Sequence, residues 1–367
     1  MRMISASRPP VLLIFAIACL PGLLSACSQE IPTEDSRDPI QLTWRYMWDP
    51  ADQDLPEWQM LGRWPQDLVR GRDGELFLSD EQNTRVIHFT TDGELISIIG
   101  QQGSGPGEFN NPVDLAYDRE RDRLWVGERG RSMLSRFRRD GDRFEFLDTF
   151  QARAFMIDRT PALLTAADAD EYWTNGWFFA RDEELENSML QRIGTDGEVV
   201  QHIGEPWQPE WVNRGMVSRI NECNISMVEN DRLALVWSHR PLIQIWNLDG
   251  TLAVERYFET PEIMRPGPGP SEDDGRQVFY MWFSWSEYCE ETDLLYVGFS
   301  VMDKNRIDFY ALDPSTLLIV EWYQLKTPDP DNNDFWPSRL VVKKTGNSVR
   351  FYCIAMLSSG VLIIEPK

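Results

Sequence analysis

The sequence predicts an all-β chain, a six-bladed β-propeller whose ring is closed by a strand from the N-terminal side. Three observations carry this expectation. Short β-rich runs alternate with Gly, Asp-Gly and Pro punctuation, and no long stretch of the body keeps a helical period. A motif that opens each unit recurs at a spacing of about fifty residues, the size of a four-stranded blade. The last unit runs out of chain before its fourth strand, while an alternating segment around residue 42 belongs to no unit of its own.

Residues 1–26 form the first element. Arg2 and Arg8 make a short basic region, and the apolar run Val11–Leu20 follows it. That run is too short to span a bilayer stably and sits where an export signal sits. Leu24-Ser25-Ala26-Cys27 comes next and resembles the lipobox of bacterial lipoproteins. The resemblance implies cleavage before Cys27 and acylation at that residue, with the lipid bilayer as the first partner. Several acyl chains give a stable anchor where one does not. Ser28 after the cysteine implies, by the same resemblance, the outer membrane of the cell envelope. Residues 27–39 are polar and read as a tether.

Residues 40–367 are expected to be the propeller. The alternating Gln41–Met47 is expected to complete the last blade, which removes exposed sheet edges. Blades are expected to begin near 64, 111, 152, 216, 278 and 336. Their opening motifs are Trp64-Pro65-Gln66-Asp67-Leu68, Asn111-Pro112-Val113-Asp114-Leu115, Met216-Val217-Ser218-Arg219-Ile220 and Trp336-Pro337-Ser338-Arg339-Leu340. Asp92-Gly93, Asp140-Gly141, Asp196-Gly197, Asp249-Gly250 and Asp313-Pro314 are expected to turn the hairpins between the outer strands. Gly accepts positive φ there and Pro presets φ.

The run Ile99–Pro112 resembles the junction between NHL repeats, and Asn83-Thr84-Arg85-Val86 and Asn305-Arg306-Ile307 resemble that family's Asn-x-Arg-Ile strand. The resemblance is specific over about 60 to 150 and fainter beyond, with an insertion in blade three around Asp158 to Gly176. It implies an NHL/TolB-like propeller and transfers no activity, because the fold hosts many.

Composition narrows the function. The 367 residues are 42% hydrophobic and 12% aromatic, which is globular, and carry a net charge of −23. Such a surface repels phosphate backbones, so nucleic acid is not expected as a partner. The acidity either keeps an exported chain soluble or meets a cationic ligand, a basic partner or Ca²⁺. Three cysteines remain after the signal, Cys223, Cys289 and Cys353, and three cannot all pair. The histidines, His88, His202 and His239, lie far apart, and no GxSxG, HExxH or phosphate-loop pattern is present. The Gly103–Gly107 run lacks a Lys-Ser/Thr sequel and reads as a junction turn.

The candidate sites follow from propeller topology. Asp67, Asp114, Arg219 and Arg339 are expected to converge at one mouth of the channel. There they either orient a zwitterionic or peptide group or pair with each other as a plug. Long connections at 204–211, 266–275 and 327–336 are expected on the same face, with Trp207, Trp211 and Trp336 as rim residues. Asp329, Asp331 and Asn333 have the opening of a calcium loop, but Asp334 and Leu340 stand where the sharp-turn Gly and bidentate Glu belong. The aromatic run Tyr280–Trp285 is expected to pack between blades, or to stack sugars if alternate rings are exposed. These features point to a membrane-tethered binding module, with Ca²⁺ as the one candidate cofactor, engaging a protein, peptide or small molecule on the long-loop face. The rival reading is a periplasmic metal-dependent lyase or hydrolase at the channel mouth.

Overall fold

The computed structural model describes residues 38–49, 51–52, 54–62, 65–129, 133–151, 163–165, 171–175, 188–208, 220–240, 242–258, 269–270, 277–278, 285–301, 306–327, 337–355 and 360–367. The first strand, β1 (Ile40–Trp48), stands apart from its sequence neighbours. Blade 1 then holds β2 (Leu68–Arg70), β3 (Leu76–Asp80), β4 (Arg85–Phe89) and β5 (Leu95–Ile99). Blade 2 holds β6 (Pro112–Asp118), β7 (Arg123–Glu128), β8 (Met133–Asp140) and β9 (Arg143–Gln151). Blade 3 is β10 (Leu163–Thr165), β11 (Glu171–Asn175), β12 (Leu190–Gly194) and β13 (Val199–Ile203). Blade 4 is β14 (Cys223–Val228), β15 (Arg232–Trp237), β16 (Leu242–Asn247) and β17 (Leu252–Tyr257). A two-stranded ladder, β18 (Gly269–Pro270) with β19 (Gln277–Val278), lies in the connection to blade 5. Blade 5 is β20 (Trp285–Cys289), β21 (Leu294–Val301), β22 (Arg306–Leu312) and β23 (Ile319–Lys326). The chain ends with β24 (Pro337–Thr345), β25 (Ser348–Ala355) and β26 (Gly360–Pro366).

Closure works as the sequence predicts. β1 pairs antiparallel with β26 from Leu42↔Pro366 to Trp48↔Val361 and becomes the fourth strand of blade 6. It also pairs in parallel with β23 through Ile40↔Tyr323, which fuses blades 5 and 6 into one eight-stranded sheet. The other blades are separate four-stranded sheets in the order of the chain.

The ring is visible in how the core divides. Side chains alternate across a strand, so each blade offers residues to both neighbours. In β3, Leu76 and Leu78 join Val341, Ile354 and Ile363 of blade 6, while Phe77 between them joins Leu115, Leu124 and Val126 of blade 2. The same partition recurs around the molecule, and six apolar clusters fill the six seams between consecutive blades. A sandwich would give one shared core; six wedges require a closed ring.

The predicted outer hairpins all lie between the third and fourth strands. Gly93 has φ +88° and its N–H donates to the Thr90 carbonyl at 3.0 Å, and the ladder slips by one residue between His88 and Phe89. This turn-plus-bulge needs the left-handed region that Gly enters without strain. The Gly-rich junction after β5 is likewise a turn. Glu108 fills it, accepting from Gly105 N–H at 2.8 Å and Gln101 Nε2 at 2.9 Å. A carboxylate of the chain itself thus occupies the space that a phosphate cradle would leave open.

The Asn-x-Arg strand has a structural role. Asn83 Nδ2 and Arg85 Nε both donate to the buried Asp80 carboxylate, at 2.8 and 3.0 Å, which also accepts from Gly62 N–H. In blade 5 the arginine finds its acid differently: Arg306 stands opposite Val301 in the ladder and pairs with Asp308 two residues along its own strand.

Candidate functional site

The inner strands start at one mouth of the channel and end at the other, and the two mouths differ. At the first, ladder register superposes Asp67 and Asp114, since Asp67 lies opposite Ser79 and Asp114 opposite Gly127 on the second strands. A bulge in β24 at Arg339, whose φ is +55°, brings its side chain to the same place in blade 6. Arg339 Nε lies 3.1 Å from Asp67 Oδ1. The Asp67 carboxylate also accepts from Leu68 N–H at 2.9 Å and from Leu115 N–H of blade 2 at 2.8 Å. Asp67 therefore ties three blades together. Burial still holds its carboxyl above the ordinary range, against the pull of Arg339. Burial, with Asp67 nearby, pushes Asp114 up to about 8, and its Oδ1 has no hydrogen-bond partner among the described residues.

Arg219 lies outside the described residues. In the described ladder of blade 4, Asn224 of β14 stands opposite Val236 in β15, at the level where Asp114 stands opposite Gly127 in blade 2. Trp211, Trp336, Asp329, Asp331, Asn333 and Cys27 also lie outside the described residues. Trp207 is described and is half-buried rather than a bare rim ring. Asn221 brackets its backbone with bonds of 2.7 and 2.9 Å, and the Arg240 guanidinium sits 4.8 Å above its indole. Of the aromatic run, Trp285 is buried and stacks on Phe309 with ring centroids 5.5 Å apart, so it packs in the seam between blades 5 and 6.

The histidines stay apart. His88 stacks on Phe77, and burial lowers its imidazole to about 4. His202 meets Ser188 at 3.0 Å, and His239 meets Glu222 at 3.3 Å. The three cysteines are free and buried. Among the described residues, no group of three His, Cys, Asp or Glu is placed to hold a metal ion.

The second mouth holds a half-open cavity. A cavity of about 330 Å³ is lined by the inner strands of blades 1, 2, 4 and 5 and by the turns that follow them. Blades 1 and 2 face blades 4 and 5 across the ring, so the cavity lies on the axis. Its apolar wall includes Leu68, Leu115, Ile225 and Met227. Most charged groups around it are spoken for. Arg70 makes a two-pronged pair with Glu291, at 2.7 Å through Nη1, and its Nη1 also donates to the Val342 carbonyl at 3.0 Å. Arg119 lies 2.8 Å from Glu290, and Arg121 lies 3.2 Å from Asp118. Glu287 differs: it is half-buried on β20, lines the cavity, and accepts no hydrogen bond among the described residues. Burial lifts its carboxyl to about 7, which Arg119 and Arg70 oppose.

The sequence reading did not single out Glu287. Its signal was an acid set on an inner strand between Trp285 and Tyr288, residues that seal the seams on either side.

A family model described as a 6-bladed beta-propeller matches residues 66–172, which covers blades 1 and 2 and reaches β11. Among solved structures, the chain is similar to a Bacteroides fragilis protein described as exported, at 13% identity and a TM-score of 0.55, over 89% of this chain and 95% of that one. It is also similar to U3-55K, at 11% identity and a TM-score of 0.50, over 88% and 98%. A Staphylococcus aureus virginiamycin B lyase matches at 12% identity and a TM-score of 0.48, over 89% and 100%. At such identities the likeness is one of fold. No curated protein matches the sequence.

Proposed function

We propose that the chain is a binding propeller of the cell envelope, tethered through acylated Cys27, whose ligand occupies the axial cavity beside Glu287. One observation carries the ligand site: a half-open cavity on the axis, with paired charges around it and one carboxylate that has no donor among the described residues. Pockets of a few hundred Å³ with apolar walls and few polar groups are where small molecules bind. The tether rests on Arg2, Arg8, the apolar run to Leu20 and the lipobox-like Leu24–Cys27. In this reading the ligand sits in the cavity at the second mouth rather than against the long connections first expected to hold it.

Native mass spectrometry of the full-length protein, purified in detergent from its own envelope, tests both parts. The expected species begins at a lipid-modified Cys27 and carries a non-covalent small molecule. Met227→Trp, which fills the cavity, is expected to remove that adduct. An adduct that survives Met227→Trp overturns the axial site, and an unmodified Cys27 overturns the tether.

A further inference from the structure

We infer that the axial cavity selects a small organic cation, an alkylammonium or alkylguanidinium group on a short aliphatic body, with its charge held by Glu287. The inference rests on the axial binding site proposed above and names the chemistry of what fills it.

The sign follows from which charges are committed. Each arginine lining the cavity already has a carboxylate: Arg70 has Glu291, Arg119 has Glu290 and Arg121 has Asp118. An anionic ligand would have to break one of these pairs and leave an acid stranded at the cavity edge. Glu287 has no such partner among the described residues, and Glu120 adds a second acid at the open rim. A desolvated carboxylate without donors is costly, and an arriving N–H cation supplies both the charge and the hydrogen bonds it lacks.

The lining also argues against an inorganic cation. A divalent metal needs several oxygen ligands in one shell. Among the described residues, no cluster of three candidate ligands occurs here or elsewhere. One donor-free carboxylate inside, the Ser226 hydroxyl (itself 3.1 Å from Ser286 Oγ) and walls of Leu68, Leu115, Ile225 and Met227 suit a compact amphiphile instead. Its ammonium or guanidinium end meets Glu287 and its carbon chain replaces water along the walls.

The test uses full-length protein in detergent and four probes of matched size: n-butylamine, n-butylguanidine, butyrate and 1-butanol. Calorimetric titration is expected to show binding by the two cations and none by butyrate or butanol. Glu287→Gln, a near-isostere, is expected to weaken the cations by at least about tenfold, the value of one charge-assisted hydrogen bond, while the melting temperature stays level or rises. Equal binding by butanol or butyrate, or unchanged affinity in Glu287→Gln, overturns the cation. So does a failure of every amine to bind while Met227→Trp still strips the native adduct, and in that case the axial site itself stands. If the native adduct survives Met227→Trp, the axial site goes as well.

Discussion

Asp114 shows how one buried side chain sets a pH dependence. Its carboxyl is 4% exposed, lies near the Asp67 carboxylate and titrates near 8, against an ordinary 3.8. Between those two values the folded protein holds a proton that the unfolded chain releases. Stability from this group is therefore present at low pH and falls as pH rises from about 4 to about 8. Asp114→Asn keeps the shape of the neutral acid and removes the titration. Its melting temperature should match wild type near pH 4 and exceed it by a margin that grows up to pH 8, which calorimetry across that range can check; equal losses at both ends would mean the acid is not held neutral. The positions of Asp67, Asp114 and Arg339 were legible because each follows the same Pro-x-x or Trp-Pro opening, and such an opening fixes where an inner strand begins. Arg219 lies outside the described residues. Met216–Ile220 copies the spacing without the proline, so it carries no comparable mark of where an inner strand starts.

At the scale of elements, β1 bears the most on stability. It is far in sequence from the strands it joins, yet it buries Leu42 and Trp48 at 2% exposure each. Trp48 packs on Phe89 at 4.5 Å between ring centroids and donates its indole N–H to the Gly93 carbonyl at 3.3 Å, so it bolts blade 6 to blade 1. Removing a buried aromatic from such a seam costs about 3–5 kcal/mol. Trp48→Ala should lower the unfolding free energy by that amount, read as a lower urea midpoint while the slope of the transition holds; a loss of a few tenths of a kcal/mol would show that closure does not depend on this strand. β1 could be read from sequence because Gln41–Met47 alternates and the last unit lacked a strand. Outer hairpins were equally legible, since Asp-Gly imposes its own geometry. The inner strand of blade 5 was harder to read, because the aromatics before it hide the polar alternation that marks an axis-facing acid.

The whole molecule joins these two scales. Six wedges share seams on both sides, so no blade can leave without exposing two clusters. The chain also carries a net charge of −23, and a field of that sign draws cations toward a cleft and weakens with salt. Inside the channel the decisive group is Glu287, which must be ionised to hold a cation. The charged groups acting on it are Arg70 from β2, Arg119 from the turn after β6, Glu290 from its own turn, and Asp67 from the start of β2; the β14 side chains lining the cavity carry no charge. With its carboxyl near 7, about a tenth of Glu287 is ionised at pH 6 and about nine-tenths at pH 8, so butylamine should bind about tenfold tighter at pH 8. Raising salt at pH 8 should slow association more than it speeds dissociation, since the long-range field is screened first. Titrations at the two pH values and stopped-flow traces at two salt concentrations measure both effects. A flat pH profile in wild type, or the same slope in Glu287→Gln, would mean that the ligand's charge is met elsewhere on this acidic surface and not on the axis.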